Sequence, residues 1–145
     1  MTPYEYLEQT EKNRLDDLFR FLQFPSVSAK SEHRQDLIDC AGWLKDHLNS
    51  IGFKTEVCAT GGHPVVYGEY VAGSHVPTVL YYGHYDVQPP EPLELWKTPP
   101  FEPRVEGGYI WGRGSADDKG QLFAHVKGLE AILKTDGALP MNVKL

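Results

Sequence analysis

The sequence predicts an α/β protein in which helices pack against one sheet. Segments with helical periodicity alternate with strand-like runs along the chain, and that alternation is typical of this class. A chain of 145 residues, 41% of them hydrophobic, can bury the core of one domain. No internal repeat, low-complexity tract or second domain is evident within these residues.

Three amphipathic helices are expected. Residues 3–24 carry apolar residues at helical spacing and end before Pro25, and residues 33–51 carry a second apolar stripe that ends at Gly52. A third helix follows the segment around Asp118 and reaches about Thr135. The apolar stripes comprise Leu15, Leu18, Phe19 and Leu22 in the first helix, Leu37, Ala41, Leu44, Leu48 and Ile51 in the second, and Leu122, Val126, Leu129 and Leu133 in the third.

Strand-like runs occupy the middle and the end of the chain. They are Phe53–Ala59, Pro64–Val71, Thr78–Tyr82 and Met141–Leu145. Residues 88–108 are rich in proline and glutamate and are expected to form an ordered loop, because Trp96 and Phe101 can anchor it by packing. A disordered linker is the alternative for this segment.

One imidazole and several carboxylates lie in two tight clusters. The first is Gly83-His84-Tyr85-Asp86, at the end of the third strand-like run, and the second is Gly114-Ser115-Ala116-Asp117-Asp118-Lys119-Gly120, before the third helix. Imidazole and carboxylate groups are ligands for a divalent metal ion, zinc above all. Ligands at strand ends and helix starts are held by a rigid scaffold, as a catalytic site requires.

The spacing within the clusters suggests distinct roles. His84 and Asp86 are two residues apart, so on a continuing strand their side chains fall on the same side, and one can bind a metal ion while the other orients it. The Asp117 carboxylate has two oxygens and can bridge two metal ions about 3.5–4 Å apart. Asp118 occupies an expected helix N-cap, where the helix dipole favours ionised carboxylates.

Each of these residues also has a purely structural interpretation. A single histidine at a strand end is usually an ordinary polar residue, and two aspartates before a helix usually comprise a cap and its neighbour. The joint pattern is more specific, because four glycines punctuate it: Gly83, Gly112, Gly114 and Gly120. Glycine at these positions indicates close approach of the backbone or a positive φ.

Charge and composition exclude several classes of protein. The net charge of −6 gives no electrostatic case for binding to nucleic acid or to an anionic membrane, and no apolar run is long enough to span a bilayer. The acidic N-terminal segment does not resemble a signal peptide. Cys40 and Cys58 lack the spacing of a metal site or a disulfide framework, so buried hydrophobic positions are expected for both. We therefore expect a cytoplasmic protein.

Three motifs together resemble a known family. Gly83-His84-Tyr85-Asp86 is followed by Trp96-Lys97-Thr98-Pro99-Pro100-Phe101 and then by Gly112-Arg113-Gly114-Ser115-Ala116-Asp117-Asp118-Lys119-Gly120. Their order and spacing are similar to those of the co-catalytic zinc metallopeptidases, which include carnosinase-type dipeptidases, aminoacylases, acetylornithine deacetylase, succinyl-diaminopimelate desuccinylase and glutamate carboxypeptidase. The sequence around His84 and over residues 60–67 looks most like the dipeptidase branch.

The resemblance implies a fold, a set of ligands and a reaction. The fold is a three-layer sandwich, with a mixed central sheet flanked by helices, and its site holds two divalent metal ions, zinc in this family. By the resemblance, His84 ligates one metal ion, Asp117 bridges both, and Asp86 is the catalytic aspartate that orients His84. A cis peptide is implied between Asp117 and Asp118. The reaction is hydrolysis of an amide bond in a dipeptide or an N-acyl amino acid.

The resemblance also implies parts that residues 1–145 do not contain. In the family, the general base is the first glutamate of a Glu-Glu pair, and the second glutamate is a metal ligand. The resemblance implies that this pair would follow the position of Leu145. We therefore expect residues 1–145 to be the N-terminal portion of a catalytic domain and to be inactive alone. The lid domain, through which many members form homodimers, is also expected to lie outside these residues.

Two other functions compete with this hypothesis. Metallophosphoesterases also place histidine and aspartate at two metal ions, but their Asp-x-His and Gly-Asn-His-Asp/Glu motifs are absent from this sequence. A non-enzymatic alternative stays open, in which an inactive or truncated relative keeps the fold and binds a peptide or another partner.

The polar residues outside the two clusters give weaker signals. Four histidines are expected at the surface or as helix caps: His33, His47, His75 and His125. His63 is expected in a turn, although it can also line the cleft. Arg113 is expected to pair with a nearby acid, and Trp96 to anchor its loop.

Overall fold

The computed structural model describes residues 1–145 as a mixed α/β fold. Its strands are β1 (Lys54–Cys58), β2 (Val65–Tyr70), β3 (Thr78–Leu80), β4 (Arg104–Glu106), β5 (Tyr109–Trp111) and β6 (Asn142–Lys144). Four of them form a sheet in the order β1-β2-β6-β3, in which β6 runs parallel to β3 and antiparallel to β2. The predicted α/β class with a mixed sheet is confirmed.

Four α-helices supply most of the apolar core. They are α1 (Pro3–Gln9), α2 (Glu11–Gln23), α3 (Arg34–Ser50) and α4 (Lys119–Asp136), with short 3₁₀ turns at Ser31–His33 and Leu93–Leu95. α3 packs on β1 and β2, and α4 contacts α1 and α2. The core includes Phe21 from α2, Leu44 and Leu48 from α3, Phe123 and Val126 from α4, and Val143 from β6. No helix combines the length and the apolarity needed to cross a lipid bilayer.

The two faces of the sheet differ in burial. Val143 of β6 is wholly buried against the helices. Leu80 and Val65 point to the opposite side and are 72% and 52% exposed, and Tyr82, which continues the alternation of β3, is 91% exposed. The helices of residues 1–145 thus flank the sheet on one face, and its other face is open.

Residues 3–24, which were expected to form one helix, form two. Thr10 lies between α1 and α2 with φ −104° and ψ 12°, and its hydroxyl donates to the Tyr6 carbonyl oxygen at 2.7 Å. Such a local hydrogen bond competes with regular helix geometry. Beyond the break, α1 lies along α4, where the Tyr6 hydroxyl donates to Glu130 at 2.9 Å. The break is therefore tied to a tertiary contact that helical periodicity does not reveal.

The loop expected at residues 88–108 overlaps a hairpin made of β4 and β5. The two strands pair across a turn at Gly107 and Gly108, whose φ values are 63° and 81°. Positive φ at both central residues is typical of the type I′ turns of two-residue hairpins. The Gly-Gly pair is a sequence signal for this hairpin that the loop interpretation missed. The rest of the segment is ordered, as expected, with Trp96 Nε1 donating to the Pro90 carbonyl oxygen at 2.8 Å.

Candidate metal centre

Two segments that are distant in sequence meet at the C-terminal end of β3. The first continues from β3 through Gly83 to His84 and Asp86, and the second is the turn that leads into α4 at Lys119. His84 Nε2 lies 3.0 Å from Asp117 Oδ1. The structure therefore brings together the three residues that the sequence singled out, His84, Asp86 and Asp117.

Asp86 holds the imidazole from the side opposite Asp117. His84 Nδ1 lies 3.1 Å from the Asp86 main-chain carbonyl oxygen and 3.2 Å from its carboxylate Oδ1. The protonated ring donates to these acceptors through Nδ1 and to Asp117 through Nε2. When the ring is neutral with its proton on Nδ1, the Nε2 lone pair is available to a metal ion. The Ser28 hydroxyl donates to Asp86 Oδ2, so both oxygens of this carboxylate are engaged.

Opposing effects determine the pKa of His84. Burial lowers the pKa of the imidazole, but the Asp86 carbonyl and the negative charges of Asp86, Asp118 and Asp117 raise it, and the net pKa lies above its ordinary value. The side chain is 41% exposed, so solvent screens these charges. A metal ion at Nε2 requires the neutral ring and therefore competes with the proton.

Asp118 is the N-cap residue of α4, as expected, but its side chain does not cap that helix. Its Oδ2 instead accepts the His84 main-chain N–H at 3.1 Å. A Cβ at Gly83 would lie 3.0 Å from this same oxygen. At the other end of the turn, a Cβ at Gly120 would lie 2.0 Å from the Ser115 carbonyl oxygen. The close backbone approach expected at these two glycines is confirmed.

The donors at the site suit a zinc-type ion in chemistry and in spacing. Zn–N and Zn–O bonds of about 2.0–2.2 Å place two ligand atoms of a tetrahedral ion about 3.4 Å apart. The distance of 3.0 Å between His84 Nε2 and Asp117 Oδ1 is close to that value, and the Asp117 side chain is 77% exposed. No group of three or more histidine, cysteine or acidic side chains is arranged to hold a metal ion. The Asp117–Asp118 peptide is cis, as the resemblance implies.

A largely apolar cavity of about 420 Å³ opens beside His84 and Asp86. Cavities of this size accommodate a small molecule or a short segment of chain. His63 lies in a bend, as expected, and also lines the cavity, with its Nε2 2.9 Å from the Ser28 carbonyl oxygen. The lining further includes Leu44, Leu48, Tyr67, Tyr81, Leu122 and Val126.

The expectations for two polar side chains, His47 and Arg113, are wrong. His47, expected at the surface or as a cap, has a side chain only 11% exposed, because its ring packs between Trp43 and Phe123 with centroids 5.1 and 5.2 Å away. Arg113, expected to pair with an acid, donates to a main-chain carbonyl and lies over the Trp96 ring at 5.2 Å. Phe123 and the Pro89 carbonyl oxygen belong to segments distant from His47 and Arg113, so the spacing of polar residues does not indicate these contacts.

The two cysteines are free and differ in burial. Cys40 of α3 is wholly buried, as expected. Cys58 was expected to be buried too, but it is only partly so, because it ends the edge strand β1.

The segment that follows α2 contributes to the site without any sequence signal. Ser26 is wholly buried, and its hydroxyl donates to the Tyr85 carbonyl oxygen at 2.7 Å. An isolated serine forms no motif, so sequence reasoning overlooked it. A parallel bridge between Val27 and Val87 brings this segment to the site, and that pairing is visible only in the tertiary structure.

Comparisons by sequence find similarity to one family of peptidases and related hydrolases. A family model described as peptidase family M20/M25/M40 matches residues 80–145, which contain both clusters. The Cys-Gly metallodipeptidase Dug1 of Schizosaccharomyces pombe is 31% identical over 97% of this chain and 32% of its own length. The succinyl-diaminopimelate desuccinylase of Bordetella pertussis is 34% identical over 76% of this chain and 28% of its own length.

The fold is also similar to that of solved enzymes. Human carnosine dipeptidase 1 superposes with a TM-score of 0.90 at 25% identity, over 98% of this chain and 32% of that enzyme. The chain thus spans about a third of the length of the relatives that it matches.

Proposed function

The chain belongs to peptidase family M20/M25/M40, and on that premise we propose that the protein containing it is a metal-dependent hydrolase. Its reaction is the cleavage of an amide bond in a dipeptide or an N-acyl amino acid. The observation that carries the proposal is the 3.0 Å approach of His84 Nε2 to Asp117 Oδ1, with Asp86 behind the imidazole. Two of the similar proteins are named as dipeptidases, which favours a dipeptide substrate.

Each of the three side chains has a role in this proposal. His84, through Nε2, and Asp117, through its carboxylate, would hold the divalent metal ions, zinc in this proposal, and Asp117 would be the ligand shared between two ions. Asp86 keeps the imidazole proton on Nδ1 and so leaves Nε2 available to the metal ion. When bound, the metal ions supply Lewis acidity to the substrate carbonyl and to the attacking water.

We propose further that residues 1–145 are the N-terminal portion of a larger catalytic domain, with the lid or dimerisation domain elsewhere in the protein. The relatives are about three times as long as the chain. A mass of 16.3 kDa for the natural protein, measured by mass spectrometry, would refute this part of the proposal.

The gap in the sheet supports the same proposal. The cavity lies between β2 and β3, in line with β6. Leu145 and Gly68 exchange both of their main-chain hydrogen bonds, so the alternation of an antiparallel ladder directs the N–H and C=O groups of Val66 into the cavity. An extended segment in line with β6 would pair with these groups and fill the gap.

The proposal places the intact enzyme in the cytoplasm and includes its assembly as a homodimer. Cys40 and Cys58 are both free, which fits a reducing compartment. Light scattering on the intact protein measures its assembly, and cell fractionation measures its location.

Zinc titration tests the ligand assignment. Two ligands are present, whereas a catalytic zinc normally has three protein ligands, so the wild-type chain should bind Zn²⁺ weakly. The binding should shift the amide NMR signals of Gly83 and Asp117, and His84→Ala should abolish these shifts. His75→Ala is the matched control, because His75 is exposed in the loop before β3, and it should leave the shifts unchanged. Undiminished zinc shifts in His84→Ala contradict the assignment.

A further inference from the structure

Lys119 is buried without a carboxylate partner. It is the first residue of α4, directly after Asp117 and Asp118, and it is 0% exposed. Its ammonium donates to the main-chain carbonyl oxygens of Phe21 at 2.9 Å and Phe24 at 2.8 Å. A buried ammonium is costly unless its charge is compensated and its protons are hydrogen-bonded. The negative charge of Asp86 favours this ammonium from a distance, but its direct partners are the two carbonyl oxygens.

The C-terminus of α2 supplies part of the compensating charge and both hydrogen-bond acceptors. Phe21 lies in the last turn of α2, and Phe24 is its C-cap residue. Carbonyl groups at a helix C-terminus lack intrahelical donors and carry a partial negative charge. The ammonium also lies 5.1 Å from the centre of the Phe21 ring, where a cation–π attraction adds to the hydrogen bonds. Lys119 thereby fixes the start of α4 to the end of α2.

The segment directly after α2 holds the other half of the site. Ser26 donates its hydroxyl hydrogen to the carbonyl oxygen of Tyr85, the residue that follows His84, at 2.7 Å. Residues 24–27 therefore contact the segment of His84 on one side and Lys119 on the other. The two halves of the site are attached to one short stretch of chain, and Lys119 makes one of the two attachments.

We propose that Lys119 is a positioning residue for this site: its buried ammonium, bound to the end of α2, holds Asp117 and Asp118 against His84. The contact that it maintains in the metal-free chain is the 3.1 Å hydrogen bond from the His84 main-chain N–H to Asp118 Oδ2. The positioning role of Lys119 does not depend on the proposed function. Only its expected effect on zinc binding rests on that proposal.

Lys127 provides a matched control on the same helix. It is 6% exposed, and its ammonium lies 5.1 Å from the centre of the Phe123 ring, the same distance as that between Lys119 and Phe21. Its hydrogen-bond partners are the carboxylates of Asp17 and Glu130, each at 2.7 Å, and neither belongs to the metal centre. Removal of either buried charge should lower stability, but only removal of the Lys119 charge should loosen the site.

The experiment compares Lys119→Met with Lys127→Met in the 145-residue chain. The first readout is hydrogen exchange of the His84 amide, normalised to exchange of the buried Val143 amide. Lys119→Met should lower this normalised protection about tenfold, because the site then opens locally without global unfolding, whereas Lys127→Met should leave it unchanged. The second readout is the Kd for Zn²⁺ alone, which should rise about tenfold or more in Lys119→Met, as it does when groups that orient metal ligands are removed.

The outcomes separate the inference from the proposed function. Unchanged normalised protection and an unchanged zinc Kd in folded Lys119→Met overturn the positioning role, and so does an equal loss in Lys127→Met. If the wild-type chain binds no zinc while protection of His84 falls in Lys119→Met, the metal site fails and the positioning role stands. Lys119→Gln keeps a donor for one of the two carbonyls; it replaces Lys119→Met if that variant does not fold, and the same outcomes then decide.

Discussion

The surroundings of a histidine ring decide what it can do, as His84 and His47 show. The acceptors and charges of the site raise the pKa of His84 above its ordinary value despite burial, and its Nε2 faces Asp117. His47 has a lowered pKa, because burial and the positive charge of Lys127 both disfavour its protonated form, and its Nε2 has no hydrogen-bond partner. One residue type thus provides a candidate metal ligand in one place and an aromatic packing residue in the other.

The lowered pKa of His47 predicts acid sensitivity of the fold. Its pKa in the folded chain lies below the unfolded value of about 6.5, so the unfolded state binds the proton first and stability falls as pH drops below about 6.5. The loss continues until the pH reaches the lower folded pKa. Lys127 disfavours the proton on His47, and Asp17 and Glu130 oppose that effect only in part.

Urea unfolding between pH 7.5 and pH 5, in steps of about half a unit, measures this dependence. His47→Phe keeps an aromatic ring beside Trp43 and Phe123 but cannot titrate, so its free energy of unfolding should fall less over the same interval. Parallel curves for the wild type and His47→Phe would show that His47 does not contribute.

Among the elements, the start of α4 is the most constrained. The turn from Ser115 to Asp118 must deliver Asp117 to His84 and then enter a helix whose second residue, Gly120, almost touches the turn. The apolar stripe of α4 explains why the segment is helical, but it does not explain why glycine stands at this position. The reason is that the first turn of α4 packs against the Ser115–Asp118 turn before it, which leaves no room for a side chain at Gly120.

Two glycines of α4 give a matched pair of substitutions. Gly120→Ala should lower the free energy of unfolding by about 1–3 kcal/mol, because a Cβ there would lie 2.0 Å from the Ser115 carbonyl oxygen. Gly128→Ala should raise it by about 0.5–1 kcal/mol, because no atom lies within 4 Å of a Cβ at this helix position and alanine loses less backbone entropy than glycine. Chemical denaturation measures both changes. Equal effects of the two substitutions would mean that helix propensity alone decides.

At the scale of the whole molecule, the chain buries one face of its sheet and leaves the other open. Leu80 and Tyr82 are 72% and 91% exposed on that open face, and the cavity in line with β6 interrupts the sheet beside the site. Exposed apolar side chains of this kind commonly mark a surface that another part of a protein covers. These features agree with the proposal that residues 1–145 are one portion of a catalytic domain.

The proposed function predicts that the chain alone does not catalyse the proposed hydrolysis. His84 and Asp117 supply two metal ligands, and no further acidic side chain within residues 1–145 is arranged to complete the group. Purified chain incubated with a dipeptide and Zn²⁺ should release no amino acid above the level of its His84→Ala variant. Activity that is lost in His84→Ala would show that two ligands suffice. Activity that persists in that variant, in a sample free of contaminating peptidase, would also reject the site.

Local sequence patterns determined much of the fold and the identity of the candidate residues. α3 and the four strands of the main sheet lie within two residues of their expected bounds, because apolar periodicity depends only on residues a few positions apart. The spacing of His84 and Asp86 and the glycines around them are local features too, so these residues could be identified from the sequence. The cis Asp117–Asp118 peptide was anticipated from the resemblance of motifs and not from spacing.

Only the tertiary structure decided which distant segments meet. The break at Thr10 goes with docking of α1 on α4, and the burial of His47 depends on Phe123, which is remote in sequence. Attachment of both halves of the site to residues 24–27, through Ser26 and Lys119, leaves no periodic trace in the sequence. Such contacts arise when separate apolar faces pack into one core, so the partners of a polar side chain are set by the whole arrangement and not by its neighbours in the chain.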